Sequence, residues 1–203
     1  MSSGKKIGVS LNSPVIITFT LLCFAVLVLD FVTVGWASAQ FFSVYRSSLA
    51  DPFTYLRMFT HVLGHSGWNH LFGNITMILV IGPLLEEKYG SAKILFVILA
   101  TALVTGLANF LFFPGVRLLG ASGVLFAFIL LSSFTCREEG KIPVTFILVA
   151  LVYIGQQLYQ AFFVKDNVSN LAHLLGGGVG SALGFLMNRG NASDGEGREN
   201  KYL

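Results

Sequence analysis

Six stretches of this chain are apolar over about the 20 residues that a helix needs to cross a ~30 Å hydrocarbon layer. They run from Pro14 to Val34, Asn69 to Leu85, Ile94 to Phe113, Ala121 to Cys136, Ile142 to Phe163 and Val168 to Asn188. Backbone in lipid must satisfy its own hydrogen bonds, so segments of this kind fold as helices and little else. The expected fold is therefore an all-α polytopic membrane protein, a bundle of six transmembrane helices. One domain, 14–188, lies between a cytoplasmic N-terminus, 1–13, and a flexible cytoplasmic tail, 189–203, whose Gly, Asn and charged residues carry no core pattern.

Composition agrees with this reading. Hydrophobic residues make up 54% of the chain and charged ones 11%, against about 25% charged in soluble domains. The net charge of +3 does not point to nucleic acid, because the basic residues form no run longer than Lys5-Lys6. Cys23 and Cys136 both lie inside apolar runs, with no zinc spacing and no disulfide framework. No small-residue cleavage site stands out after Lys5-Lys6, so the run from Pro14 reads as a retained helix.

The basic residues report orientation. Lys5, Lys6, Lys88, Lys93, Arg137, Lys141, Arg189, Arg198 and Lys201 fall on one side of the spans, and Arg46, Arg57, Arg117 and Lys165 on the other. The excess of positive charge places both termini in the cytoplasm of a multi-pass protein, with the plasma membrane as the expected site. The long outward loop, Gly35 to Trp68, mixes aromatics with Arg46, Asp51 and Arg57 and suits the lipid interface.

Polar and ionisable residues inside membrane helices are costly and mark function. The second, fourth and sixth spans run the same way and end at Glu86, Arg137 and Arg189. At 1.5 Å rise per residue, Ser122, His173 and His70 lie about 22, 24 and 24 Å above those markers, and Asn74 about 6 Å deeper on the face of His70. Three reactive side chains thus share one level, below the outer surface. The segment before Ser122, Pro114 to Gly120, must reach that depth without being helical, which requires burial in protein or a water-filled cavity. Gly176, Gly180 and Gly184 recur every four residues on the sixth span, and Gly123 and Ala127 offer a matching small surface on the fourth.

A serine hydroxyl attacks a peptide carbonyl when imidazole accepts its proton, so Ser122 and His173 form a candidate pair. At a helix start, the Ser122 N–H is a free donor, and His70 and Asn74 could add side-chain N–H groups to an oxyanion hole. No acid is placed to orient His173: Asp166 is seven residues earlier and Asp30 lies on another span. His61 and His65 have the spacing of a metal pair, but Val62-Leu63-Gly64 lacks the glutamate of a His-Glu-x-x-His site, so they read as support for the first loop. Glu86 either bonds to small polar groups such as Ser132 or Ser133 or marks the interface. Gln156, Gln157 and Gln160 could meet substrate backbone or bond between helices.

These residues match a known pattern. Gly120-Ala121-Ser122-Gly123, His70 to Asn74, and Ala172-His173-Leu174-Leu175-Gly176 resemble the Gly-x-Ser-Gly, His-x-x-x-Asn and Ala-His-x-x-Gly motifs of the rhomboid intramembrane proteases. Arg57-Met58-Phe59-Thr60-His61, His65, Glu86 and Gly90 extend the likeness over residues 50–184. The resemblance implies a six-helix bundle that cleaves transmembrane protein substrates within the lipid bilayer, without metal or cofactor. It implies Ser122 and His173 as catalytic residues and His70, Asn74 and the Gly120-Ser122 backbone around the oxyanion. Arg57, His61, His65, Glu86, Gly123, Phe126, Gly176 and Gly180 would support them, and substrate would enter past the second and fifth spans. Leu56 precedes Arg57 where the family often has tryptophan, and Phe126 stands where a tyrosine frequently packs on the histidine. A non-catalytic rhomboid-like binder of membrane proteins is the competing reading, and such a binder is expected to lack the serine or the histidine. A small transporter would need inverted halves and midplane charges, which this chain does not have.

Overall fold

A computed structural model of the chain describes residues 12–134, 141–163 and 167–189. Helix α1 (Pro14–Val32) is followed by the short α2 (Trp36–Gln40) and by α3 (Pro52–Thr60), which runs into a 3-10 turn at His61–Leu63. The chain continues through α4 (Trp68–Tyr89), α5 (Ser91–Phe112), α6 (Ser122–Ser132), α7 (Val144–Phe163) and α8 (Asn167–Arg189). Sequence-level readings placed on Lys5, Lys6, Cys136, Arg137, Lys165, Asp166 and the tail from Gly190 lie outside the described residues, as do the side chains of Gln156, Gln157, Gln160 and Arg189.

Each of the six apolar runs falls on a helix. Among the described residues, four of these helices are long and apolar enough to cross a membrane: α1, α4, α5 and the 170–188 stretch of α8. Their outward faces carry exposed Leu, Val and Phe, among them Leu21, Val32, Val80, Leu84, Phe96 and Phe112, as lipid contact requires.

Helix α6 is the hub. Its 11 residues span about 16 Å, roughly half the hydrocarbon layer. The apolar run continues to Cys136, but the chain leaves the helix at Ser133 and Phe134 in a turn. None of its residues is exposed, and Val124, Ala127, Phe128 and Leu131 have no accessible surface. A helix apolar on every side belongs in the interior, and α4, α5 and α8 pack around this one.

Helix α8 runs parallel to α6 at backbone contact. A side chain at Gly176 would meet the Gly123 carbonyl and Cα, and one at Gly180 the backbone of Ala127. At Gly184 it would lie 2.7 Å from the Phe134 ring. Without hydrophobic drive between helices in lipid, such close approach supplies the van der Waals attraction that holds the pair.

Glu86 does bond to a small polar group, as one of the two readings above expected, but the group is Ser91, and it holds the start of α1 as well. Its buried carboxylate accepts the Val15 and Ile16 N–H groups, both at 3.0 Å, and the Ser91 hydroxyl at 2.7 Å. These N–H groups are unpaired donors at the start of α1, where the helix dipole favours negative charge. Ser132 and Ser133 donate to the Ile129 carbonyl instead. Glu86 therefore ties α1 to the end of α4, and Asn188 reaches the same end by donating to the Tyr89 hydroxyl at 2.9 Å.

Because a Cβ at Gly180 would meet backbone that cannot swing away, Gly180→Val should lower stability by about 3 kcal/mol. Gly178 faces open space, and Gly178→Ala should change stability by less than about 0.5 kcal/mol. Reversible unfolding in mixed micelles measures both.

Candidate active site

The site is built from the first loop upward. Asp51 caps α3 by accepting the Phe53 N–H at 3.0 Å, with Pro52 at the first helical position, where its missing N–H costs nothing. One turn on, the buried Arg57 guanidinium donates to the Gln40 carbonyl, Ser47 Oγ and Asp51 Oδ2 at 3.1, 2.9 and 2.8 Å. It also sits 4.7 Å over the Tyr45 ring. This guanidinium draws the loop together although Leu56, not tryptophan, precedes it. Its proximity, together with the capping bond, holds the Asp51 carboxyl below its usual range.

The same loop secures the irregular segment before α6. Val44 and Leu118 exchange two backbone bonds, each 2.9 Å. Asn109 Nδ2 donates to the Val44 and Val116 carbonyls at 3.0 and 3.1 Å. Arg46 caps the end of α5 by donating to the Phe110 and Leu111 carbonyls. Gly120 N–H donates to the His61 carbonyl at 3.0 Å, and Ala121 N–H to His65 Nε2 at 3.5 Å. Protein thus supplies the partners that water would otherwise give this backbone.

His61 and His65 are buried to 1% exposure, and both nitrogens of each ring are engaged. The His61 ring lies between the Arg57 carbonyl and Thr105 Oγ1, 3.2 Å from each. His65 Nδ1 donates to the Leu63 carbonyl at 3.1 Å, and its Nε2 accepts from Asn74 Nδ2 at 3.3 Å.

His70 and Asn74 share one face of α4 and converge on Gly120. Gly120 has φ +133°, and a side chain there would lie 2.8 Å from His70 Cε1 and Nε2 and 3.9 Å from Asn74 Nδ2. Glycine is thus required twice, by backbone conformation and by the ring beside it. Two residues on, Ser122 is the first residue of α6, so its N–H is one of the free donors of a helix start.

His173 reaches the same level from α8. Its ring packs on Phe126 with centroids 4.4 Å apart at 45°, and Phe126 stands one turn below Ser122. Gly123 lies beside the Ala172 carbonyl, 3.6 Å from where its Cβ would be. Ser122 and His173 thus stand at a shared level, one on α6 and the other on α8. Asp30, one of the two acids that the sequence leaves away from His173, accepts the Ser38 N–H at 2.8 Å.

Residues 52–190, from α3 through α8, match the Rhomboid domain family. The chain belongs to the rhomboid family. It is an integral membrane protein of that family, and α1 lies outside the matched domain. It is 31% identical over 168 residues to mouse "Rhomboid-related protein 2", covering 73% of this chain and 56% of that one. It is 27% identical over 139 residues to "Putative rhomboid protease YdcA" of Bacillus subtilis (strain 168), covering 64% of this chain and 66% of that one. The chain thus spans between half and two thirds of these relatives.

Four groups at the candidate site were not singled out in the sequence: Ser66, Thr105, Asn109 and the Ala121 amide. Ser66 could have been found by its four-residue spacing before His70, where a side chain reaches back to a neighbouring turn. Asn109 sits at the end of an apolar run, where no pattern separates a loop clamp from an interface residue.

Burial pushes both His61 and His65 down to about 4 from 6.5, with nearby His70 adding to the effect on His65. Between about pH 6.5 and 4 the unfolded chain binds protons that the folded rings refuse, so stability falls as pH falls through that window. The loss is on the order of 3 kcal/mol per ring across it. Micelle unfolding from pH 7 to 4.5 should show this slope, and His61→Gln should roughly halve it. An unchanged slope in the variant would place the proton uptake elsewhere.

Proposed function

We propose that this rhomboid-family chain is an intramembrane serine protease that hydrolyses peptide bonds in or near transmembrane segments of membrane proteins, with Ser122 as nucleophile and His173 as general base. The observation that carries the reading is the convergence at the start of α6. His70 Nε2 and Asn74 Nδ2 lie around Gly120, the free N–H of Ser122 follows, and the His173 ring rests on Phe126 one turn below.

In this reading the bundle has six membrane-crossing helices, α7 and the short α6 among them, with both termini in the cytoplasm of a plasma-membrane protein. His173 takes the Ser122 proton as the hydroxyl adds to the scissile carbonyl. The new oxyanion is met by the Ser122 N–H, His70 and Asn74, donors already in place before charge develops. His173 then protonates the leaving amine, and water admitted to the recessed start of α6 hydrolyses the acyl-enzyme with His173 again as base. Phe126 holds the His173 ring by stacking. Substrate enters from the bilayer between α4 and α7. The dyad needs neither metal nor cofactor.

Cleavage of a reconstituted transmembrane substrate is the test. Ser122→Ala and His173→Ala should each lose about 10⁴-fold or more in kcat, and a chelator should leave wild type unchanged. Full activity in Ser122→Ala would falsify the mechanism, and binding of a client without cleavage by wild type would favour a non-catalytic role. Gly120→Ala, which pushes a methyl group into His70, should cost about 100-fold in kcat, comparable to loss of one oxyanion donor.

A further inference from the structure

Two histidines five residues apart, His65 and His70, are held in opposite tautomers by groups that allow no other choice. Their rings meet edge to face with centroids 5.0 Å apart. His65 Nδ1 faces the Leu63 carbonyl at 3.1 Å. A carbonyl only accepts, so that nitrogen carries the proton. The other nitrogen, Nε2, faces the Ala121 N–H at 3.5 Å. A backbone N–H only donates, so Nε2 presents its lone pair.

His70 is arranged the other way round. Its Nδ1 faces the Ser66 N–H at 3.5 Å and Ser66 Oγ at 3.1 Å. Because Nδ1 must accept from the backbone donor, the proton of neutral His70 is on Nε2, the nitrogen beside Gly120. The orientation of a histidine's second nitrogen is set by the bond its first one makes.

Asn74 follows from His65. With a lone pair on His65 Nε2, the neighbouring amide must offer nitrogen, and Nδ2 lies 3.3 Å away. That leaves the second N–H of Nδ2 for the space around Gly120, 3.9 Å from the position of a Cβ there. Were His65 to carry its proton on Nε2, the amide would turn over and set oxygen toward His65. An oxygen atom near Gly120 would repel a developing oxyanion, whereas an N–H stabilises it.

We propose that the dipeptide His65–Ser66 presets both side-chain donors of the oxyanion site. Ser66 fixes the proton of His70 on Nε2, and His65 fixes the amide of Asn74 with nitrogen toward Gly120. Both are positioning residues, and the assignment of their purpose rests on the proteolytic reading above. It gives the first loop a chemical role in addition to its mechanical one: His61 and His65 anchor the Gly120-Ala121 backbone, and His65 and its neighbour Ser66 determine the polarity of two side chains.

Two measurements test this. The first is independent of cleavage: in the full chain labelled with ¹⁵N-histidine in micelles at neutral pH, two-bond N–H correlation spectra should show a protonated Nδ1 at His65 and a protonated Nε2 at His70. Peaks are assigned by their loss in His65→Gln and His70→Gln. Any other protonation pattern overturns the proposal, whether or not the protein cleaves.

The second compares His65→Gln with His65→Asn. Glutamine can place an acceptor near the position of Nε2, and asparagine can place a donor near that of Nδ1. The Gln variant should keep kcat within about tenfold of wild type, and the Asn variant should fall about 100-fold, with KM within about twofold in both. An Asn variant as active as the Gln variant would assign His65 to holding Leu63 and overturn the proposal. In an Asn74→Ala background the difference between the two variants should shrink at least fivefold, since its cause has been removed, and an undiminished difference overturns it too. A wild type that fails to cleave, or a Ser122→Ala that succeeds, sinks the proteolytic reading instead, and the spectra still decide the tautomers.

Discussion

The contact on which the remainder of the structure depends is the backbone approach of α8 to α6. Gly176 lies on Gly123 and Gly180 on Ala127, and because both positions advance by four residues, the helices run parallel and in register. His173 is three residues before Gly176, and Ser122 one residue before Gly123. The register that brings glycine to glycine therefore brings imidazole and hydroxyl to one level. In lipid, where apolar surfaces gain little by leaving one solvent for another, a packing contact of this kind is among the few forces that can set such a register.

A second constraint follows from the shortness of α6. A helix of 11 residues leaves the chain before it non-helical at a depth where unpaired backbone is costly. The first loop answers that need through Val44, the His61 carbonyl and His65, and α5 adds Asn109. Arg57, bonded to three parts of the loop and stacked on Tyr45, keeps the loop folded while it does so. The groups that satisfy this backbone also surround the donors near Gly120, so structural support and the preorganisation of the candidate site are parts of one hydrogen-bond network.

Much of this was legible in the sequence. The six apolar runs mark the six long or buried helices, because spanning length and hydropathy are properties of a segment by itself. The i, i+4 spacing of His70 and Asn74 put them on one face, and glycines four apart on the sixth run matched small residues on the fourth. Other features were not legible. Besides nearby Ser91, Glu86 holds the start of α1, about seventy residues away, and no local pattern distinguishes a carboxylate that caps another helix from one that marks an interface. The early end of α6 was hidden because the apolar run continues to Cys136 while the chain turns at Ser133 and Phe134.

The sequence by itself determined a membrane-embedded helical protein, the rhomboid likeness, and which polar residues had to be explained, since periodicity and hydropathy act over one turn or one span. Only the tertiary structure decided how those residues are oriented. Whether a histidine nitrogen accepts or donates, and which end of an asparagine amide faces a cleft, depends on the carbonyl or N–H group opposite it. Here several of those groups, among them the Ala121 N–H and the bonds around Gly120, come from segments distant in the chain that only packing brings together.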